Sequence, residues 1–333
     1  MKLSRVWTAR RALAQRTLGV LALAMLPVLD GLASEWPERP VRIVVPFGAG
    51  GSTDALARIV GAKLSEQTRQ PVVIDNRAGA AGSIGAAAVA KSPADGYTLL
   101  LATSSTHAVL PQLRSLPYDA VRDFSAIARL AVAPNVLVVS PKLAVNSLAD
   151  FLQAARQRST PLAYSSSGNG SVTHLIGADF SQRAKLRVTH IPYKTGIQAL
   201  ADIHAGQVDF AFDSIVWTVP QSQAGKVKAL AIGGAQRSRL APELPTLKEL
   251  GFEGFDGTTW FALMGPAGVP APVVERINRL VNQALSDPEV KAQFERQGAE
   301  ALGGSPAELE RLVKDDGQQW ATVIKTGGIK ADE

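Results

Sequence analysis

The sequence predicts an α/β fold of two lobes, each built around a mostly parallel sheet. Short strands rich in β-branched residues alternate with helical segments along most of the chain. Several of these strands end in loops of glycine, serine and threonine that open directly into a helix. The chain has 333 residues, 46% hydrophobic and 19% charged, which is enough to build two medium-sized cores.

The first lobe opens with a strand–loop–helix unit. Residues 41–45 form a strand rich in valine and isoleucine, and residues 48–51 form a tight glycine loop. Ser52, Thr53 and Asp54 are typical of a helix start, and the helix is expected to run to about residue 66. The same alternation predicts strands at 72–75 and 97–103 with a helix at 79–91 between them.

The alternation continues through the rest of the chain. Further strands are predicted at 136–139, 162–164, 190–193, 208–212, 227–232 and 258–264. Further helices are predicted at 147–158, from 172 onward, and at 198–205, 271–286, 288–297 and 306–326. The expected organisation is a signal peptide at 1–33, a first lobe at 34–136 and 258–333, and a second lobe at 137–257.

The first 33 residues predict an export signal. A basic stretch at 1–16 precedes an apolar stretch at 17–29, and the small residues Gly31 and Ala33 fit cleavage after Ala33. The apolar stretch is shorter than the ~20 residues that a membrane-spanning helix needs. We therefore expect a periplasmic protein, with the pair Arg10-Arg11 leaving both the general and the twin-arginine export routes open.

The distribution of charge argues against nucleic acid as a partner. The chain has 35 basic and 29 acidic residues, but five of the bases and one acid lie within the predicted signal peptide. The rest of the chain carries a net charge of only +2, with no stripe of lysine and arginine interleaved with aromatic residues. The sequence contains no cysteine, which excludes disulfides and thiolate chemistry.

The candidate binding residues lie in loops that follow the strands. Ligands of open α/β sheets bind at the carboxyl ends of the strands, and the first N–H groups of a following helix favour an anion there. The loops with this composition are 48–54, 103–107, 165–171, 193–196 and 213–214. Each loop taken singly is also explained as a cap or turn, but their recurrence predicts an anion-binding cleft.

Other chemistries fit the sequence less well. The glycine loop has Thr53 in place of the third glycine of a dinucleotide-binding motif, although Asp75 after the next strand leaves an NAD(P)-dependent oxidoreductase as an alternative. A hydrolase with a nucleophile elbow is also disfavoured, because Tyr164 stands where the Gly-x-Ser-x-Gly motif has its first glycine. The four histidines show no i, i+4 pairing for a metal. No cofactor, metal or catalytic residue is therefore predicted.

Nine stretches of the chain, taken in order and spacing, resemble one family. They are Trp36–Pro37, Pro40–Phe47, Gly50–Asp54, Asn76–Gly82, Ser92–Leu99, Gly168–Leu175, Gly206–Asp209, Leu244–Thr246 and Trp260–Phe261. Together they are similar to the Bug family, the TctC-like extracytoplasmic solute receptors of tripartite tricarboxylate transporters. The resemblance covers almost the whole chain after the predicted signal peptide.

The resemblance implies a two-lobed periplasmic-binding-protein (Venus flytrap, type II-like) architecture that closes on a small organic carboxylate. We therefore expect a binding protein, not an enzyme, that delivers the ligand to membrane permease subunits, with a ligand sensor for a receptor kinase as the alternative. A monomer is the default expectation for a protein that must open and close. The ligand-binding residues that the resemblance implies in the first lobe are Phe47, Gly50, Ser52, Thr53, Asp54, Ser104, Ser105, Thr106 and His107. Those it implies in the second lobe are Ser166, Asn169, Ser171, Tyr193, Gly196 and Asp213.

One stretch departs from the family's pattern. The family usually has Gly-Gly-Ala-Pro after the Tyr-Lys pair, whereas Tyr193 and Lys194 are followed here by Thr195-Gly196-Ile197-Gln198. The additional bulk and the hydroxyl of threonine are expected to narrow the predicted cleft at one wall or to change the polar groups of that wall.

Overall fold

The computed structural model describes residues 36–193, 196–327 and 329. The fold below is that of the compact unit from Arg39 onward. The predicted signal peptide at 1–33, together with Lys194 and Thr195, lies outside the described residues.

Strands and helices alternate along the unit, as predicted. The strands are β1 (Val41–Val45), β2 (Val72–Asn76), β3 (Thr98–Thr103), β4 (Phe124–Val139), β5 (Leu162–Ser166), β6 (Val188–Pro192), β7 (Phe210–Ser214), β8 (Lys228–Ile232), β9 (Thr258–Pro266) and β10 (Glu300–Ala301). The helices are α1 (Ser52–Thr68), α2 (Ser83–Ala90), α3 (Leu110–Leu113), α4 (Leu148–Gln157), α5 (Val172–Arg183), α6 (Gly196–Ala205), α7 (Ile215–Gln223), α8 (Ala271–Ser286), α9 (Pro288–Arg296) and α10 (Pro306–Gly327). Within the described part of the chain, no helix combines the length and hydropathy needed to cross a membrane.

Two groups of parallel strands flank two long antiparallel strands. β2, β1 and β3 form one parallel group, and β7, β5 and β6 form the other. β9 lies between β3 and β4 and runs antiparallel to both. Helices connect the parallel strands, because a parallel neighbour can be reached only by a crossover. The predicted α/β fold class is confirmed, and the two long strands make the complete sheet mixed.

The strand β4 pairs with both groups. Its residues up to Pro134 pair with β9, whereas Asn135 and the residues after it pair with β7 and β8. The pairing partner therefore changes close to the boundary predicted at residue 136, and β9 begins at Thr258, where the chain is predicted to return to the first lobe. The division into two lobes stays a prediction.

Most of β4 is absent from the sequence prediction. Alanine, a weak strand former, recurs through residues 124–135, and Pro134 interrupts the run. The register against β9 shifts between Ala126 and Ala128 and again between Arg129 and Ala131. These irregularities explain why a regular strand pattern is missing from the sequence.

The predicted helix at 79–91 begins four residues later than expected. Gly79, Ala80, Ala81 and Gly82 have φ values of 136°, 47°, 53° and 95°, which no α-helix accepts. A Cβ atom on Gly82 would lie 2.7 Å from the Thr106 methyl group, so this turn fits closely against the residues after β3.

An aromatic cluster fixes α5 against β7. Phe180 of α5 is fully buried, and its ring centroid lies 5.3 Å from that of Phe212, 5.3 Å from that of Phe252 and 6.0 Å from that of Phe210. Aromatic pairs at such distances add to the stabilisation from buried area. The packing also holds the loop that precedes α5, residues 167–171, in a defined place.

Candidate ligand-binding site

The carboxyl ends of β1, β3, β5, β6 and β7 meet together with the residues that follow each strand, and we call this region the loop junction. Ser52, which opens α1, donates a hydrogen bond from its Oγ to the Oγ of Ser214 at the end of β7, at 2.9 Å. The backbone N–H of Val172 donates to the Oγ of Ser105, the first residue of a π-helical segment (Ser105–Val109) after β3, at 3.0 Å. A Cβ atom on Gly196 would lie 3.2 Å from Asp213 Oδ2. These contacts bring together loops that are far apart in the sequence.

The loop after β1 leaves its helix terminus open. Gly48 and Gly50 are exposed, and a Cβ atom on either would meet nothing within 4 Å. Gly51, the N-cap of α1, has no side-chain acceptor for the N–H groups of the first turn. The 17-residue helix α1 therefore presents uncapped N–H groups and the positive end of its dipole to the junction.

Asp54 holds this loop in shape. Its Oδ2 accepts hydrogen bonds from the Gly50 N–H at 3.0 Å and from Arg58 Nε at 2.9 Å. Its Oδ1 accepts from Asn76 Nδ2 at 3.0 Å. Burial alone would raise the pKa of Asp54, but the donors from Arg58, Gly50 and Asn76 outweigh it and lower the pKa below its ordinary value. Because both oxygens are occupied, the geometry favours a structural charge at the helix start over contact with a ligand.

Asn76, absent from the predicted site, extends the same support to Phe47. Its Nδ2 also donates to the Phe47 carbonyl at 3.1 Å, while the Phe47 ring packs at Gly82. The only sequence signal for this role is the position of an asparagine at the end of β2. Thr53 is half-buried, and its side chain makes no hydrogen bond with the described residues.

Two serines directly after β3 keep a proton to donate. Ser104 Oγ accepts from the Trp260 N–H at 3.0 Å, and Ser105 Oγ accepts from the Val172 N–H. Both side chains are nearly fully buried. A serine hydroxyl that accepts one bond still carries its own proton. Both serines therefore remain possible donors to a ligand.

The polar side chains of Thr106 and His107 make their contacts within the protein. Thr106 Oγ1 bonds the backbone of Thr103 and lies 2.9 Å from His107 Nδ1. The His107 ring packs edge-on against Phe124, at 4.6 Å between centroids, and lines a separate pocket with α3 and α10. Burial lowers the pKa of His107 to about 3, so the ring is neutral. The described contacts therefore place the His107 ring beside a separate pocket, and contact of Thr106 or His107 with a ligand stays a prediction.

Two stacked histidines support the loop after β5. The rings of His174 and His190 lie 3.9 Å apart and 9° from parallel. His190 Nε2 lies 2.6 Å from Ser166 Oγ, and His174 Nδ1 accepts from the Gly170 N–H at 3.2 Å. Burial, and secondly the neighbouring His174, lower the pKa of His190 to about 3. The pair therefore holds both ends of the loop from Ser166 to Gly170.

The serines of this loop are largely used within the protein. Ser166 Oγ also bonds the backbone of Gly168, and Ser171 Oγ caps α5 by accepting from the His174 N–H at 3.2 Å. Asn169 Oδ1 is buried without a hydrogen-bond partner. Within the loop, Asn169 is therefore the predicted residue with an unused polar group, whereas the α5 terminus is already capped.

Tyr193, directly after β6, and Asp213, near the end of β7, contribute a hydroxyl and a carboxylate. Tyr193 Oη donates to Asp202 Oδ2 at 2.5 Å, and burial together with Asp202 raises the pKa of Tyr193 to about 12. Asp213 is half-buried, and burial raises its pKa to about 6 despite a hydrogen bond from the Ser214 N–H. Ser214 itself is the N-cap of α7, and its side chain caps no N–H of that helix.

The described residues of the junction include no lysine or arginine. No group of histidines and carboxylates with the geometry of a metal site occurs among residues 36–193 and 196–327. Cavities of about 600 Å³ and 430 Å³ lie elsewhere, the first at the amino ends of β1 and β3 and the second beside α10. The chemistry available at the junction is thus that of backbone N–H groups, hydroxyls and one carboxylate.

A mixed α/β sheet whose strand ends gather uncapped helix termini is typical of proteins that bind a small anion at the ends of the strands. The family model for the receptor of the tripartite tricarboxylate transporters, TctC, matches residues 56–329. The chain belongs to this family, which confirms the family resemblance seen in the sequence.

Relatives and solved structures agree with this assignment. BugT of Bordetella pertussis is 36% identical over 300 residues, covering 90% of this chain and 92% of BugT. The structure of R. palustris Rpa4515 with adipate has a TM-score of 0.85 and 38% identity, covering 89% of this chain and 99% of that one. The structure of MatC from Rhodopseudomonas palustris with bound malate has a TM-score of 0.81 and 32% identity, and the match covers 87% of this chain and 100% of MatC.

Proposed function

We propose that this protein captures a small organic carboxylate at the loop junction, in the periplasm, and delivers it to the membrane subunits of a tripartite transporter. The observation that carries the proposal is the meeting of two uncapped helix starts, those of α1 and α7, at the hydrogen bond between Ser52 and Ser214. Such termini favour anions. Adipate and malate in the related structures are both dicarboxylates.

Neutral donors are sufficient for useful affinity. A hydrogen bond to a charged group contributes roughly 1.5–3 kcal/mol, and a partly buried helix terminus adds up to about 2 kcal/mol. Two backbone N–H groups and the hydroxyls of Ser104 and Ser105 would reach the ~8 kcal/mol of a micromolar complex after the costs of association. No arginine clamp is needed for this affinity.

We further propose a binding role without catalysis. Ser166 and His190 have the spacing of a nucleophile and a base, at 2.6 Å. However, burial lowers the pKa of His190 to about 3, which makes its imidazole a weak base at neutral pH. Ser166 is also nearly fully buried and bonded to Gly168. The pair is better suited to holding the loop than to acyl transfer.

Capture is expected to use closure of two lobes joined through β4 and β9. The change of strand partners at Pro134 and Asn135 supports a hinge there. A ligand that contacts both lobes stabilises the closed form by its differential affinity for that form. Small-angle scattering of the monomer should show compaction on ligand addition; an unchanged radius of gyration with a tight ligand would contradict closure.

A thermal-shift screen of the purified protein against organic acids tests the function, with NAD and NADP as controls. A ligand present at 100 times its Kd stabilises the folded protein by roughly 2.7 kcal/mol, which gives a clear rise in melting temperature. The proposal predicts shifts with one or a few carboxylates. A shift with a dinucleotide alone would instead favour the oxidoreductase alternative and overturn the proposal.

A further inference from the structure

Asp213 occupies the point where the helix starts of the junction meet. It is the residue before Ser214, whose Oγ receives the hydrogen bond from Ser52 at 2.9 Å. Its Oδ2 lies 3.2 Å from the position of a Cβ atom on Gly196, the first residue of α6. A carboxylate is therefore built into a site whose other groups are donors suited to an anion.

One oxygen of this carboxylate is unused. Oδ1 accepts a hydrogen bond from the Ser214 N–H at 2.7 Å. Oδ2 has neither a hydrogen bond nor an ion pair with any described residue, although the side chain is only partly exposed. Oδ2 keeps contact with solvent, so it can accept a hydrogen bond from water or from a ligand group that replaces this water.

Two hydroxyls of the described junction residues are already committed elsewhere. Tyr193 gives its hydroxyl proton to Asp202, and Ser52 gives its own to Ser214. The backbone of Gly196 closes one side of Oδ2, since a Cβ atom there would lie 3.2 Å from it, so a ligand donor must approach from another side.

We propose that Asp213 is a specificity-determining residue that selects acids carrying a hydroxyl or an ammonium group next to the bound carboxylate. This inference rests on the proposed function. The ligand carboxylate takes the N–H groups at the starts of α1 and α7, and the neighbouring donor reaches Asp213 Oδ2. An acid without that donor leaves Oδ2 facing a methylene group, and because both acids bring the same carboxylate charge, the missing hydrogen bond is what disfavours its binding.

The test uses pairs of acids that differ only in the donor: succinate with malate, glutarate with 2-hydroxyglutarate, and phenylacetate with mandelate. Calorimetry on the wild type should give at least about tenfold tighter binding of the hydroxy acid in a pair that binds, as expected for a hydrogen bond to a charged group. In Asp213→Asn this preference should fall to within about threefold, with the plain acid bound at least as tightly as by the wild type.

The ratio separates selection from damage to the fold, because a structural defect weakens both members of a pair. Asp213→Ala, which has no acceptor at all, provides a second variant if the asparagine form does not fold. Asp256→Asn removes the same charge from an exposed position and should keep the wild-type preference. A wild type that binds both members equally, or an Asp213→Asn protein that keeps the preference, would overturn the inference while leaving carboxylate binding intact. Failure of every acid to bind would overturn the proposed function and this inference with it.

Discussion

Acid should destabilise this protein through His190, and replacing that residue should remove part of the effect. Burial lowers the pKa of His190 from the ordinary 6.5 to about 3. The unfolded chain therefore binds a proton at His190 more readily than the folded chain does. The stabilising contribution is complete above pH 6.5 and is lost progressively as the pH falls from 6.5 towards 3.

The magnitude follows from these two pKa values. At pH 5 the histidine of the unfolded chain is almost fully protonated while that of the folded chain is not, and the difference is about 2 kcal/mol. Other titrating groups act in both directions; burial raises the pKa of Asp213 and of Asp316 to about 6, for example, so acid favours their folded forms. The comparison with a variant cancels those contributions.

The variant is His190→Gln, whose amide can keep the bond to Ser166. The free energy of unfolding should be measured in urea at pH 7.5, 6.0 and 5.0. Between pH 7.5 and pH 5.0 it should fall by about 2 kcal/mol more in the wild type than in the variant. Ser166→Ala removes the partner but keeps the buried imidazole, so its pH dependence should follow that of the wild type. An equal dependence of the unfolding free energy on pH in the wild type and in His190→Gln would refute the assignment of a low pKa to this residue.

Three further substitutions test the packing and the loop after β1. Asn76→Ala removes two bonds, one of them to the buried Asp54 carboxylate, and should lower the free energy of unfolding by about 1–3 kcal/mol in urea titrations. Ser52→Ala should weaken the tightest acid roughly tenfold in calorimetry while costing no more than about 1.5 kcal/mol of stability, since it removes the hydrogen bond that joins the starts of α1 and α7. Phe180→Ala should lower the free energy of unfolding by about 3–5 kcal/mol, because it leaves a cavity at the centre of the aromatic cluster.

Each of these predictions has a result that would contradict it. Unchanged stability in Asn76→Ala would mean that the Asp54 network does not support the loop. Full affinity in Ser52→Ala would remove this hydroxyl from the binding site. A loss below about 1 kcal/mol in Phe180→Ala would show that the cluster is loosely packed.

The strand–loop–helix units were accessible from the sequence because their signals are local. Residues 41–54 contain a β-branched strand, a glycine turn and a helix start within fourteen positions, and the structure places β1 and α1 accordingly. The position of the loops at strand ends follows from the same pattern. The fold class and the location of the junction therefore needed no knowledge of distant contacts.

The use made of each side chain depends on contacts between distant residues and was not accessible. Ser104 accepts from Trp260, 156 positions away, and Ser105 accepts from Val172, 67 positions away. A local pattern of serine, threonine and histidine gives no indication that His107 lines a pocket beside α10. The role of Asn76 likewise depends on the neighbouring strand, because its amide reaches across to Asp54.

The most direct test of carboxylate capture compares an acid with its own amide. Calorimetry should use the tightest acid from the thermal-shift screen and the carboxamide of the same skeleton, which keeps the shape but carries no charge. If uncapped helix starts and hydroxyls hold a carboxylate, the acid should bind with a micromolar Kd and the amide at least about 100-fold more weakly, equivalent to two hydrogen bonds to a charged group. Equal affinities for the acid and the amide would contradict an anion site at the loop junction.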